Sequence, residues 1–323
     1  KTFMEKTDMR NYSSSFRGKG SEFFGVVVIN WLLTVITLGL YYPWAKERTL
    51  KYLYANTYLE NDRFQFSGTG KEMFVGFIKV FGMFLFLYLA FLFAAQSQNA
   101  ALSAIILLLF YAFILGIIPF AIHGFYRYRM SRTSWRGIRF GYRGDRSTLV
   151  KMYFRDLFLT ILTFGIYSSW MTIHLRNYTL SNVKFGSASF KHHANGDDYF
   201  FLNLKGIILT YITLGIYSFW FQRDIINFYF DHLSLHHNDK KVKFKSHLSA
   251  GDIFELLIIN LIIIVFTLGL GYAFAEVRTL TTMFSKLQIY GDIDLDAIQQ
   301  TEAEYKNAFG DEALDVMDLN GVI

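Results

Sequence analysis

Apolar residues gather in long runs along this chain, at Phe23–Tyr42, Met73–Ala95, Ala101–Ile122, Leu157–Trp170, Phe200–Trp220 and Ile253–Ala273. A helix that crosses a bilayer needs about 20 apolar residues for its roughly 30 Å hydrocarbon core. Met73–Ala95 and Ala101–Ile122 meet that length, with the neutral turn Gln96-Ser97-Gln98-Asn99 between them. The remaining runs are shorter, so a spanning and a re-entrant course both fit them.

The runs repeat one another. Thr37-Leu38-Gly39-Leu40-Tyr41 returns as Thr163-Phe164-Gly165-Ile166-Tyr167, as Thr213-Leu214-Gly215-Ile216-Tyr217 and as Thr267-Leu268-Gly269-Leu270-Gly271. Five residues after each Gly stand Trp44, Trp170, Trp220 and Phe274; nine after stand Arg48, His174, Asp224 and Arg278. Nine before stand Asn30, Asp156, Gly206 and Asn260. A degenerate copy, Leu115-Gly116-Ile117-Ile118-Pro119, precedes Tyr126-Arg127-Tyr128-Arg129 and carries about one extra span. Self-similarity at this spacing marks a repeat architecture, with units near 21–68, 70–141, 146–190, 196–245 and 251–291.

Each unit reads as a hydrophobic helix, a glycine break and a second, amphipathic helix. Short alternating segments follow: Arg63-Phe64-Gln65-Phe66, Arg136-Gly137-Ile138-Arg139-Phe140, Val183-Lys184-Phe185 and Val242-Lys243-Phe244-Lys245. Ser15-Phe16-Arg17-Gly18 is the same kind of segment ahead of the first unit. Period-two alternation beside turn residues such as Asn61-Asp62 and Asn238-Asp239 predicts strands or hairpins. They either join into one extramembrane sheet or stand as separate hairpins. The expected fold is a mainly α membrane protein of about five repeated units, with short β-strands or hairpins on one, cytoplasmic, face.

Composition agrees with a membrane setting. Apolar residues are 53% of the chain and charged residues 18%, against about 25% charged in a typical soluble domain. Aromatic residues make up 19%, and Tyr and Trp favour bilayer interfaces. The net charge of +6 fits loops facing anionic headgroups better than nucleic acid. With no cysteine, disulfides and thiol catalysis are excluded. Residues 1–20 are polar without a signal-peptide core, and 292–323 form an acidic tail with helical character around Glu302–Phe309.

Basic residues cluster after the breaks, at Lys46, Arg48 and Lys51, at Arg127, Arg129, Arg132, Arg136 and Arg139, and at Lys240, Lys241, Lys243 and Lys245. If every run crossed once, these clusters would fall on both faces, against the positive-inside tendency. Folding each unit back as a hairpin puts them, the strands and both termini on one side. Arg48, Arg278 and His174 then fall at membrane depth, where charged groups face a polar interior or snorkel to headgroups. Together with Asn30, Asp156 and Asn260 they form the candidate polar cavity or ligand site, although polar groups at such positions also serve as interhelical glue. Gly39, Tyr41 and Trp44, Gly165, Tyr167 and Trp170, Gly215, Tyr217 and Trp220, and Gly269 with Phe274 mark the repeated turn and the interface.

Other chemistry is weakly supported. His192-His193 with Asp197-Asp198, and Asp231-His232 with His236-His237, are adjacent pairs lacking metal-ligand spacing. Gly68-Thr69-Gly70-Lys71 lacks the residue spacing and α/β context of a phosphate loop. No metal, cofactor or catalytic constellation is expected, and so no enzymatic activity.

Leu33-Thr34-Val35-Ile36-Thr37-Leu38-Gly39-Leu40-Tyr41-Tyr42-Pro43-Trp44-Ala45, Lys51-Tyr52-Leu53-Tyr54-Ala55-Asn56 and Gly291-Asp292-Ile293-Asp294 closely resemble the YjgN-like family. The resemblance runs along nearly the whole chain. It implies a bacterial multi-pass inner-membrane protein carrying a domain of unknown function, and no substrate. Two functions are therefore expected to compete. One is binding or transport of a small anionic or lipidic substrate. The other is a non-catalytic scaffold or assembly factor that recruits a protein partner or a second copy of itself through its strand face. Membrane lipids are the expected surroundings in both.

Overall fold

The computed structural model describes residues 9–96 and 99–301. Ser97 and Gln98 of the neutral turn, and the expected helix at Glu302–Phe309, lie outside the described residues. The chain opens with strands β1 (Arg10–Tyr12) and β2 (Ser14–Phe16), then helices α1 (Gly20–Ile36) and α2 (Tyr42–Ala55). Strands β3 (Thr57–Leu59) and β4 (Asp62–Phe66) lead to α3 (Gly70–Gln96) and α4 (Ala100–Ser131). Strands β5 (Thr133–Trp135) and β6 (Ile138–Tyr142) precede α5 (Arg146–Leu162) and α6 (Ser168–Ser181). Strands β7 (Val183–Phe185) and β8 (Ala188–His192) precede α7 (Gly196–Ile212) and α8 (Ser218–Asp231). Last come β9 (Leu233–His237), β10 (Lys240–Ser246), α9 (Ala250–Phe266), α10 (Tyr272–Ser285) and β11 (Leu287–Gly291).

The breaks between short helices share one backbone solution. Gly39 donates its N–H to the Thr34 carbonyl at 2.7 Å while Leu38 donates to Val35 at 3.1 Å, the paired bonds of a Schellman helix end. Both residues take positive φ, 51° and 93°, as do Phe164 and Gly165, Leu214 and Gly215, and Leu268 and Gly269. The threonine explains itself too. Thr37 Oγ1 donates to the Leu33 carbonyl and accepts from the Tyr41 N–H, tying the dying helix to the next one. Thr163, Thr213 and Thr267 do the same.

Helices α5, α7 and α9 start from polar caps. Asp145 accepts from the Thr148 N–H, Asn195 from Asp197, and Ser249 forms a reciprocal capping box with Asp252. Such caps are worth roughly 1 kcal/mol each.

All eleven strands pair antiparallel in one sheet, ordered β1-β11-β10-β9-β8-β7-β6-β5-β4-β3-β2. Its two edge strands, β1 and β2, are halves of one segment separated only by Ser13, so the sheet comes round to near-closure as a barrel. Ser13 and Glu60 exchange hydrogen bonds at this seam, and Arg10 pairs with Glu60 at 2.9 Å. Because tight turns and helical pairs alternate along the sheet, every helical pair leaves from one end and every tight turn sits at the other. Each helix packs on its neighbours in the chain, and α10 returns onto α1.

This corrects the expectation of a mainly helical multi-pass protein with short strands or hairpins. The described chain combines its helices with an eleven-stranded near-barrel, because isolated hairpins would leave unpaired edges that pairing onward removes. Among the described residues, only α3 and α4 are long and apolar enough to cross a membrane, and the most apolar stretch of each is almost wholly unburied. Toward its C-terminal end, by contrast, α4 buries Pro119, Ala121, His123, Gly124, Tyr126 and Tyr128.

Candidate ligand cavity and apolar face

The barrel interior holds a cavity of about 450 Å³. Its wall is a belt of rings contributed by every second strand: Phe64 on β4, Phe140 on β6, Phe190 on β8 and Phe244 on β10. Successive centroids lie 6.1, 6.3 and 6.2 Å apart. Strand alternation puts these residues on the inner face and the intervening Lys191, Lys243 and Lys245 outward. Trp135, 1% exposed, packs between Phe64 and Phe185 and donates Nε1–H to the Asp62 carbonyl at 3.1 Å. The sequence signal for this belt was the alternation itself, which marked Phe64, Phe140 and Phe244 but, in the third hairpin, Phe185 on β7 rather than Phe190 on β8. It did not say that the faces close on one lumen.

The turn end of the barrel is shut by the chain after β11. Ile293, Leu295 and Ile298 bury themselves against Tyr12, Trp135 and Phe185. The Tyr12 hydroxyl donates to the Ile293 carbonyl, and Ser187 N–H donates to the Gln299 carbonyl at 2.8 Å. Arg136 pairs with Asp62 and Asp296 at 2.5 and 2.6 Å. From Leu295 on this floor, the cavity extends to Leu53, Tyr54, Arg129, Met130, Leu280 and Phe284 at the ends of α2, α4 and α10. The well therefore reaches from a sealed floor to the helical end.

The polar residues singled out in the sequence lie elsewhere, each engaged within its own helical pair. Asn30 Nδ2 donates to the Ala45 carbonyl at 2.9 Å, and Asn260 Nδ2 to Thr279 Oγ1 at 2.9 Å. Asp156, fully buried, lies 2.8 Å from His174 Nδ1 and 2.7 Å from Arg155. Arg278 pairs with Glu255 at 2.5 Å, and Arg48 lies over the Tyr41 ring. None of these six lines the barrel cavity. At the turns, Tyr41 stacks on Trp44, Tyr167 on Trp170 and Tyr217 on Trp220. Among the described residues, no three His, Asp or Glu side chains gather as a metal site. His192 contacts Asn177, and Asp197 accepts from Trp170 Nε1.

A second feature is the apolar far end of the helical pairs. Leu38, Phe164, Leu214 and Leu268, at the tips, are 91%, 98%, 94% and 92% exposed. No residue is charged in Trp31–Ala45, Leu157–Met171, Ile207–Phe221 or Leu261–Ala275, nor anywhere between Lys79 and Arg127 in the long pair. Holding a Leu or Phe at positive φ costs about 1–2 kcal/mol, a strain spent to display a bulky apolar group. Exposed apolar surface on this scale marks a membrane or partner contact.

A family model described as a bacterial protein of unknown function, DUF898, matches residues 11–200 and 221–316. The chain is 33% identical over 137 residues to inner membrane protein YjgN of Salmonella typhimurium, a match covering 42% of this chain and 32% of that protein. It is 32% identical over 139 residues to inner membrane protein YjgN of Escherichia coli, covering 43% and 33%. The chain thus spans about a third of the length of these curated relatives. Their names support an inner-membrane location. No solved structure matches the chain.

Proposed function

Since the chain belongs to the DUF898 family of bacterial proteins of unknown function, we propose that it is a lipid-binding protein of the inner membrane whose barrel takes in an acyl chain. In this reading the α3–α4 hairpin crosses the bilayer and the four short hairpins dip into one leaflet. Each charge-free tip comprises about seven residues of either arm, roughly 10 Å of helix, which is less than half of a hydrocarbon core of about 30 Å. Charged residues at Arg48, Asp156, Asp224 and Arg278 then lie near headgroup level. The barrel stays outside the bilayer. Its strands carry Lys184, Lys191, Lys240, Lys241, Lys243 and Lys245, a basic surface that favours the cytoplasmic side. The role is binding or transfer rather than catalysis.

One observation carries the reading: an apolar well, sealed by Ile293, Leu295 and Ile298, that extends to the helical end of the barrel. Cavities of about 300–1,000 Å³ with mainly hydrophobic walls are ordinary small-ligand sites, and this one runs toward the lipid. The test uses single-tryptophan proteins in vesicles containing chain-brominated phospholipid. One keeps Trp135 in the well and the other keeps Trp31, which is 64% exposed on an apolar tip. Both should be quenched, Trp31 by the bilayer and Trp135 by a chain drawn into the barrel. Quenching of Trp31 with Trp135 untouched would refute chain uptake.

A further inference from the structure

At its helical end the cavity is lined by α2, α4 and α10, and the five second helices differ at the matching position. Three residues before the helix C-cap stand Leu53, Arg129, Thr179, Tyr229 and Met283. Only the unit bearing the long α3–α4 hairpin has a cation at this position. Among the described residues that line the cavity, Arg129 alone is charged. Its Nε donates to the Tyr54 hydroxyl at 3.0 Å, and its guanidinium lies 5.7 Å from the Tyr54 ring centroid and 5.2 Å from that of Phe125. Aromatic faces thus fix the arginine at the rim.

The cavity wall is lopsided in the same sense. Its other polar side chains, Tyr12, Ser14, Tyr54, Thr57, Tyr58 and Thr133, belong to β1, β2, β3, β5 and the end of α2, on the side of the near-barrel where its seam lies. Strands β7 to β11 line it with hydrocarbon and aromatic groups alone. A well with one polar side, one apolar side and a cation at the entrance matches an amphiphile. Guanidinium is the side chain best suited to grip a carboxylate or phosphate with paired donors.

Building on the acyl-chain reading, we infer that the ligand is an anionic single-chain amphiphile, its head held by Arg129 at the mouth and its chain directed toward Leu295. The volume, about 450 Å³, is low in the range of about 300–1,000 Å³ for such sites and suits one chain. A carboxylate head and a lysolipid phosphate share this chemistry.

The test titrates the detergent-solubilised Trp135-only protein with brominated palmitic acid, brominated palmitoyl lysophosphatidic acid and brominated hexadecanol. At least one anion should quench Trp135 at about tenfold lower concentration than the alcohol, as expected for one charge-assisted hydrogen bond. The better anion identifies the head. Arg129→Gln should erase the preference while its alcohol titration, which reports an intact well, stays unchanged; Arg129→Lys should keep most of it. Equal titration of acid, lysolipid and alcohol in the unsubstituted protein would overturn the inference without needing any variant to fold. A preference that survives Arg129→Gln would overturn it as well. Absence of quenching by every chain would instead remove the acyl-chain reading beneath it.

Discussion

Phe274, on the last helical pair, lies over Gly20, the residue that opens the first, so closely that a methyl group on Gly20 would sit 2.4 Å from its ring. The joint recurs along the chain. Trp44 covers Gly70 at 2.6 Å and Trp170 covers Gly196 at 2.3 Å by the same measure. In each case the aromatic is the third residue of a second helix and the glycine begins the next first helix. The ring of helices is therefore closed, last to first, by the contact that also links the first pair to the second and the third to the fourth, just as the N-terminal segment closes the barrel beneath.

Gly20→Ala should accordingly weaken the protein although alanine favours helices. The added carbon meets the base of the Phe274 ring, which has to swing aside, and overpacking of this kind costs about 1–3 kcal/mol. Gly25→Ala is the control: nothing lies within 4 Å of its added carbon, so helix propensity should stabilise it by up to about 1 kcal/mol. Thermal melts of the two variants should move in opposite directions. If Gly20→Ala melts no lower than Gly25→Ala, the aromatic joint does not hold the ring.

At the tips, backbone and membrane make opposite demands. Phe164 sits at φ 50° and is 98% exposed, a conformation asparagine accepts more readily than phenylalanine. Phe164→Asn should leave the folded protein as stable as before, or more so, in detergent. The same change removes a large apolar group from the bilayer and should weaken quenching of a neighbouring tryptophan at Trp170 by brominated lipid. An unchanged quench would mean that this tip does not enter the membrane.

The helical pairs, their breaks and the strand segments were legible because local chemistry imposes them. A Schellman end followed at once by another helix needs a threonine hydroxyl and a glycine, and Thr37-Leu38-Gly39 carries both. The closure of sheet and ring was not legible, since nothing local to Gly20 or Phe274 announces that they touch. Alternation around Phe64, Phe140, Phe185 and Phe244 predicts strands, but only sheet curvature turns their faces into one lumen. Polar positions were visible while their partners were not. Asp156 and His174 meet, whereas Arg48 and Arg278 stand on separate helices beside Tyr41 and Glu255.

His192 should make stability depend on acid. It is fully buried at the end of β8 with Nδ1 2.6 Å from Asn177 Oδ1. Burial, with the Arg176 charge adding to it, pushes the imidazole down to about 4. An unfolded histidine titrates near 6.5, so between roughly pH 6.5 and 4 the unfolded chain binds a proton that the folded chain refuses. Stability is thus fully present above about pH 6.5 and falls by about 1.4 kcal/mol per pH unit, some 3 kcal/mol by pH 4. Carboxylate titration affects both proteins alike, so His192→Gln should narrow the gap between urea midpoints at pH 7 and pH 4.5. An identical gap would show that the proton goes elsewhere.

The barrel floor should owe its hold to burial rather than charge. Ile293 and Ile298 are 2% and 3% exposed, whereas the Arg136 side chain is 30% exposed and its partners Asp62 and Asp296 are 50% and 76% exposed. Exposed ion pairs contribute at most about 1 kcal/mol each, while truncating a buried isoleucine to alanine costs about 2–5 kcal/mol. Ile293→Ala should therefore destabilise the protein well beyond Arg136→Ala. It should also loosen the seal, which acrylamide quenching of a Trp135-only protein would register as a rise from the shielded baseline. High salt, which screens Arg136 but leaves apolar packing intact, should not reproduce that rise. If salt or Arg136→Ala opened the floor as far as Ile293→Ala does, the segment would be held by its charges and the well would lack a fixed base.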